Sequence, residues 1–114
     1  LPEIPCDSDQ IQQVFVNIIL NAAEAMTGGG RLTIQSSLQG DGQSVLIVFN
    51  DTGPGIPEDR REKIFDPFYT TKEHGTGLGL SLSHAIITRV GGTLHCDPNF
   101  EDGARFILKL PLAT

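Results

Sequence analysis

The sequence predicts an α/β two-layer sandwich of the α+β kind, in which a mixed, mostly antiparallel sheet carries its helices on one face. Three observations point to it. The elements read helix, strand, strand, short helix, loop, helix, strand, strand. Turn signals join the strands in pairs, Gly40-Asp-Gly42 in the first and Pro98-Asn-Phe-Glu-Asp-Gly103 in the second. Each long helix has a broad apolar side, and one shared sheet is the simplest way to cover both.

Taken in order, residues 1–6 read as the end of a strand or linker. Asp7 is an N-cap candidate and Gln10, three residues on, completes a capping-box-like pair. A helix follows from about Ser8 to Met26 and stops at Gly28-Gly-Gly30. Ile11, Val14, Phe15, Ile18, Ile19, Ala22 and Ala25 form its broad apolar side, widened by Val16, Leu20 and Ala23. What remains is a narrow stripe of Gln10, Gln13, Asn17, Asn21 and Glu24 at steps of three and four. A solvent face normally carries Lys and Glu, whereas this stripe is mostly neutral amide. Asparagine is a mediocre helix former, so two of them one turn apart call for a reason. The stripe is either a thin solvent seam or the wall of a polar pocket, with amide oxygens aimed at a metal or its waters.

Arg31 to Leu38 alternates as a strand, with Leu32 and Ile34 on one side, and Val45 to Phe49 is a short buried strand. Asn50-Asp-Thr-Gly-Pro-Gly-Ile56 is a tight turn that leaves Asp51 at the strand exit. Asp51 either closes a turn on its own backbone or accepts a ligand's hydrogen bond. Residues 57–64 suit a short helix, and Phe65-Asp-Pro-Phe-Tyr69 an aromatic cluster. The second long helix begins after Gly75-Thr-Gly-Leu-Gly-Leu80, is expected to bury Leu78, Leu82, Ala85, Ile86 and Val90, and ends at Gly91-Gly92. Thr93 to Asp97 and Ala104 to Leu110 make the last hairpin; Phe106, Leu108 and Leu110 share a face, and Arg105 and Lys109 the other.

The three alternating glycines open a helix whose first N–H groups lack partners and carry partial positive charge, so the stretch reads as a phosphate cradle. The other reading is a plain loop before an ordinary helix. The spacing G-x-G-x-G is not the dinucleotide fingerprint, and no Gly-Lys-Ser/Thr exists for a Walker loop. A nucleotide site here belongs to neither of the two commonest kinds.

With 114 residues the chain is expected to be one domain, able to bury about 65% of its unfolded-chain surface. Its 39% apolar and 19% charged composition is that of an ordinary soluble globule. A net charge of −6 argues against a nucleic-acid or anionic-membrane surface and obliges an anionic ligand to find local donors and a cation. Cys6 and Cys96 have no metal or redox spacing and read as buried free thiols in a reducing cytoplasm. The chain starts without Met or a signal peptide, which is taken as the mark of a fragment.

Four pieces, in this order, resemble the ATP-binding catalytic domain of sensor histidine kinases, of the superfamily shared with DNA gyrase, a heat-shock chaperone family and mismatch-repair ATPases. They are Asn17-Ile-Ile-Leu-Asn21 (asparagine box), Asp51-Thr-Gly-Pro-Gly-Ile56 (first glycine box), Phe65-Asp-Pro-Phe68 (phenylalanine box) and Gly75-Thr-Gly-Leu-Gly-Leu80 (second glycine box). Asn-Ala-Ala-Glu-Ala-Met and Phe-Tyr-Thr-Thr-Lys resemble the nitrogen-regulation subclass in particular. The resemblance covers nearly the whole chain and implies a Bergerat fold, ATP and Mg²⁺. It implies that Asn21 ligates Mg²⁺ and that Asn17 helps position metal, water or phosphate. Asp51 would accept from the adenine amino group, over a floor shaped by Gly53 and Gly55. The backbone from Gly75 through Gly77 to Gly79 would hold phosphates, and Ile56, Thr76, Leu78 and Leu80 of the same boxes complete the nucleotide contacts. Phe68 would couple occupancy to docking on a separate helical domain that carries the phosphoacceptor histidine. None of His74, His84 or His95 is placed to be that acceptor, so the chain alone should bind ATP without autophosphorylating.

Two positions depart from the family. Glu24 stands where many members carry a phosphate-reaching Lys, and Thr70 where many carry Arg. Lys72, from the short lid Tyr69 to His74, is expected to substitute, with Arg60, Arg61 and His74 as weaker candidates. The implied partners are the kinase's own dimerisation and phosphoacceptor domain, absent here with its N-terminal strand, and a response regulator receiver domain. The isolated domain is expected to be a monomer from a dimeric parent, cytoplasmic or the cytoplasmic part of a membrane-anchored sensor. The competing readings are an anti-sigma-factor-type serine kinase, an ATP-sensing or docking module without transfer, and a gyrase-like ATPase. The last lacks a well-placed glutamate base.

Overall fold

The computed structural model describes residues 8–40, 42–66, 79–97 and 102–111. Helix α1 runs Ser8–Ala25, strands β1 and β2 are Leu32–Leu38 and Ser44–Asp51, helix α2 is Gly79–Arg89, and strands β3 and β4 are Thr93–Cys96 and Arg105–Pro111. Two single 3₁₀ turns, Glu58–Arg60 and Lys63–Phe65, stand where the sequence suggested one short helix.

The described strands form one wholly antiparallel sheet in the order β1-β2-β4-β3. Its period of two fixes what faces the helices. One rung reads Ile34, Phe49, Phe106, Cys96 across all four strands, and the next reads Ser36, Ile47, Leu108, Leu94. Phe49, Phe106, Leu108 and Leu110 are at most 1% exposed. Val14, Ile18 and Ala22, four residues apart on α1, are buried against this face. The Phe15 ring meets Phe49 edge-on at 5.4 Å, which sets α1 over β2. Phe65 packs edge-on to Phe106 at 6.3 Å, so this aromatic belongs to the main core.

Two expectations about facing change. On α2 the buried residues are Ser83, Ile86 and Ile87, while Leu82 is 43% exposed and Ala85 also faces out. The helix is rotated because a serine can be buried once its hydroxyl is satisfied, as Ser83 is below. On the edge strand β1, Ile34 and Leu38 lie on the core face yet are exposed.

Continuing the alternation of Val45, Ile47 and Phe49 by one step puts Asp51 on the core face too, at the strand's last residue. Asn50 faces the other way. There Arg105 Nε donates to Asn50 Oδ1 at 2.6 Å and its guanidinium reaches Asp97 at 3.5 Å, tying together the ends of β2, β4 and β3.

Candidate nucleotide site

Asp51 is 3% exposed. Its Oδ1 accepts two backbone N–H bonds, from Gly53 at 3.0 Å and from Ala104 at 3.0 Å, and its own N–H donates to the Ala104 carbonyl at 2.9 Å. The bond from Gly53 is the turn-closing one; the bond from Ala104 crosses to β4. The turn-closing reading of this residue is met by Oδ1. Oδ1 builds the corner, and among the described residues no hydrogen bond reaches Oδ2, which remains an acceptor of fixed direction.

The corner needs glycine. Gly103 has φ 155°, and a Cβ on it would lie 2.0 Å from the Asp51 carbonyl oxygen. Gly55 has φ 78°, and its Cβ would come within 2.9 Å of the Gly103 carbonyl. Two glycines distant in sequence thus let the β2 exit and the β4 entry touch backbone to backbone. A Cβ on Gly53 would meet both Asp51 Oδ1 and Met26 Cγ at 3.3 Å, which puts this turn against the C-terminal end of α1. Thr52 completes the junction. Its Oγ1 accepts from the Arg31 N–H at 2.9 Å and donates to Met26 Sδ at 3.6 Å.

Two turns back along α1, Asn17 reaches α2. Its Nδ2 donates to the Gly79 carbonyl at 3.2 Å and to Ser83 Oγ at 3.1 Å. Asn21, one turn on, is half-buried on the same stripe, whereas Gln13 and Glu24 are exposed. Ile56 and Leu80 are half-buried and rest against the core. Helix α1 is therefore the common wall: its middle touches the start of α2 and its end touches the Asp51 turn, about 12 Å apart at 1.5 Å rise per residue. Phe68, Lys72, Gly75, Thr76, Gly77 and Leu78 lie outside the described residues, as do Thr70, His74 and Cys6. Arg61 is committed elsewhere, since its Nε donates to the Ile56 carbonyl at 3.2 Å.

The sequence reading missed Gly103 and Ala104, which face Asp51, and Ser83, which faces Asn17. An Asp-Gly pair in a hairpin turn signals a bend; nothing in it signals that its glycine abuts another strand's exit. An open cavity of about 900 Å³ lies apart from these residues, lined by Arg61, Lys63, Phe65, His84, His95 and Cys96 among others. Burial pushes the Cys96 thiol above its ordinary value of 9.0, opposed by the nearby Arg61 charge. Cys96 is a buried free thiol, as expected.

Among the described residues no group of three His, Cys, Asp or Glu could hold a metal. The donors that are present, neutral amide oxygens, fit Mg²⁺, a hard cation commonly held by few protein ligands together with substrate phosphates and water.

Two helices over one antiparallel sheet give the chain the architecture of a Bergerat-type α/β domain. Residues 6–114 match the family described as histidine kinase-, DNA gyrase B- and HSP90-like ATPase. The chain belongs to that family, on the side of the histidine kinase catalytic domains. It is 44% identical to the sensor histidine kinase ZraS of Escherichia coli over 98% of this chain and 24% of that protein. The catalytic domain of histidine kinase ThkA superposes with a TM-score of 0.83 at 40% identity, over 96% of this chain and 71% of that one. ThkA in complex with response regulator protein TrrA matches at 0.78. Full-length ShkA in complex with AMPPNP matches at 0.85 with 32% identity, over all of this chain and 24% of that one. The chain thus spans about a quarter of ZraS. Among the described residues no helix is long and apolar enough to cross a membrane.

Proposed function

We propose that residues 1–114 form the single catalytic domain of a larger sensor histidine kinase, which binds Mg-ATP and passes its γ-phosphoryl group to a histidine on a separate helical domain. The observation that carries this reading is the divided carboxylate of Asp51. Backbone N–H groups saturate Oδ1, and Oδ2 is left to accept from a donor such as the adenine amino group. Gly53 and Gly55 shape the floor beneath the base. Asn17 and Asn21 offer amide oxygens to Mg²⁺, whose charge, when bound, neutralises the phosphates. The Gly75–Gly79 backbone holds those phosphates, and Lys72 supplies the cation that Glu24 and Thr70 do not. Phosphoryl transfer asks mainly for positioning and charge neutralisation, which suits a site of amides and backbone donors.

The names of the relatives favour this over the serine-kinase and non-catalytic readings. ShkA's complex with AMPPNP and ThkA's with a response regulator protein support ATP and a receiver domain as partners. Phe68 couples nucleotide occupancy to docking on the acceptor domain. The parent is a homodimer acting in the cytoplasm, and the closer likeness to the nitrogen-regulation subclass belongs to this proposal.

Titration with an ATP analogue, with and without Mg²⁺, on wild type and Asp51→Asn tests the reading. In the variant the amide oxygen must take the place of Oδ1, because an NH₂ cannot accept two N–H bonds. That turns a donor toward adenine's donor. Affinity should fall about 10- to 100-fold, the worth of one hydrogen bond to a charged group, with the melting temperature nearly unchanged. Equal affinity in both proteins would remove the assignment.

A further inference from the structure

Ser83 is 0% exposed, and its hydroxyl lies 2.8 Å from the Gly79 carbonyl, four residues back. Serine commonly bonds in this way within a helix. The second contact is the unusual one. A carbonyl can only accept, so the single hydroxyl proton of Ser83 goes to Gly79, and Ser83 must meet Asn17 as an acceptor. Asn17 therefore turns its NH₂ toward α2, where Nδ2 donates to the Gly79 carbonyl and to Ser83 Oγ. The two acceptors are themselves 2.8 Å apart, so together they hold the NH₂ end of the carboxamide on α2 and leave its oxygen on the other side. The chemistry of the partners settles which atom of the amide is which.

We propose that Ser83 is a positioning residue for nucleotide binding. By accepting from the Asn17 amide at the first turn of α2, it keeps the NH₂ end on α2 and leaves the Asn17 oxygen for the Mg²⁺–phosphate end. This rests on the nucleotide reading of the Asn17 stripe and adds to it a residue on another helix. It also joins α1 to the start of α2 through side chains, so the amide wall and the phosphate cradle keep one spacing.

The test is an affinity ratio: binding of an ATP analogue with Mg²⁺ over binding without it, alongside adenosine. In Ser83→Ala the ratio should fall about 5- to 10-fold, the loss of one hydrogen bond's worth of orientation, while adenosine binds as in wild type. Ser83→Thr, which keeps the hydroxyl, should restore the ratio. An unchanged ratio in Ser83→Ala, or equal losses for adenosine and the ATP analogue, would overturn the proposal in favour of a purely structural serine. Should Ser83→Ala not fold, nuclear magnetic resonance of the unaltered chain decides. Without nucleotide or metal, the Asn17 side-chain amide should exchange slowly with solvent; rapid exchange of both its protons overturns the proposal. Failure of the nucleotide reading looks different, because Asp51→Asn would then bind as wild type does, whatever Ser83 does.

Discussion

At the C-terminal end of α1 the site is made of backbone. Asp51 is gripped by the N–H groups of Gly53 and Ala104, and Gly55 and Gly103 approach within what a methyl group would fill. Midway along the same helix it is made of side chains and open space. Asn17 and Ser83 meet across two helices, and among the described residues a Cβ on Gly79 would have nothing nearer than Asn17 Cγ at 3.8 Å. The first arrangement is set by backbone contacts that need no ligand. The second is held by two or three hydrogen bonds, each worth about 1 kcal/mol. A domain that, as proposed, grips a base at one end and phosphates with a metal at the other has reason to build its two ends differently.

Gly103→Ala strikes the rigid end and should have the largest effect. The added Cβ would sit 2.0 Å from a backbone oxygen that no rotamer can move, so the β2 exit and β4 entry must part. Denaturant unfolding should show a loss of about 2–4 kcal/mol. A loss under about 0.5 kcal/mol would mean the corner is softer than its geometry says.

What could be read ahead of the structure follows the same division. The alternation of Val45, Ile47 and Phe49 is local, and it carried the reading to Asp51 at the strand exit. The 3.6-residue period picked out the stripe of Asn17 and Asn21, because amides on a helix are conspicuous by composition. Gly103 was legible only as a turn residue, since its partner Asp51 is 52 positions away and sequence period carries no such distance. Ser83 was hidden because it looks like any helix-surface serine, and Leu82 was assigned to the core in its place. An apolar side chain was given precedence over a small polar one whose hydrogen bonds could not be foreseen. The open core face of β1, with Ile34 and Leu38 exposed, escaped for a related reason: alternation says which way a strand faces but not what covers it.

Lys72→Ala sharpens the comparison on the adjustable side. If Lys72 replaces the cations missing at Glu24 and Thr70, the variant should bind the ATP analogue about 10-fold more weakly, the worth of one charge-assisted hydrogen bond. Adenosine, which has no phosphate, should bind unchanged. An unaltered ATP affinity would leave the phosphates to backbone groups alone.

Gly79→Ala gives the smallest shift and the clearest contrast with Gly103→Ala. At Gly79 the space for a methyl group is ordinary van der Waals room, and the residue begins a helix, where alanine is the better former. Sterics among the described residues give no reason for glycine there. If the reason is a phosphate approaching the first N–H groups of α2, removing the glycine should help the empty protein and harm the filled one. Unfolding without ligand should show a gain of about 0.5 kcal/mol, since a compatible alanine also narrows the unfolded ensemble. Affinity for the ATP analogue should fall several-fold in the same variant. Opposite signs for stability and binding are what a ligand-imposed glycine predicts. A variant less stable and binding normally would make Gly79 a structural glycine like Gly103, and the contrast between the two ends of α1 would be lost.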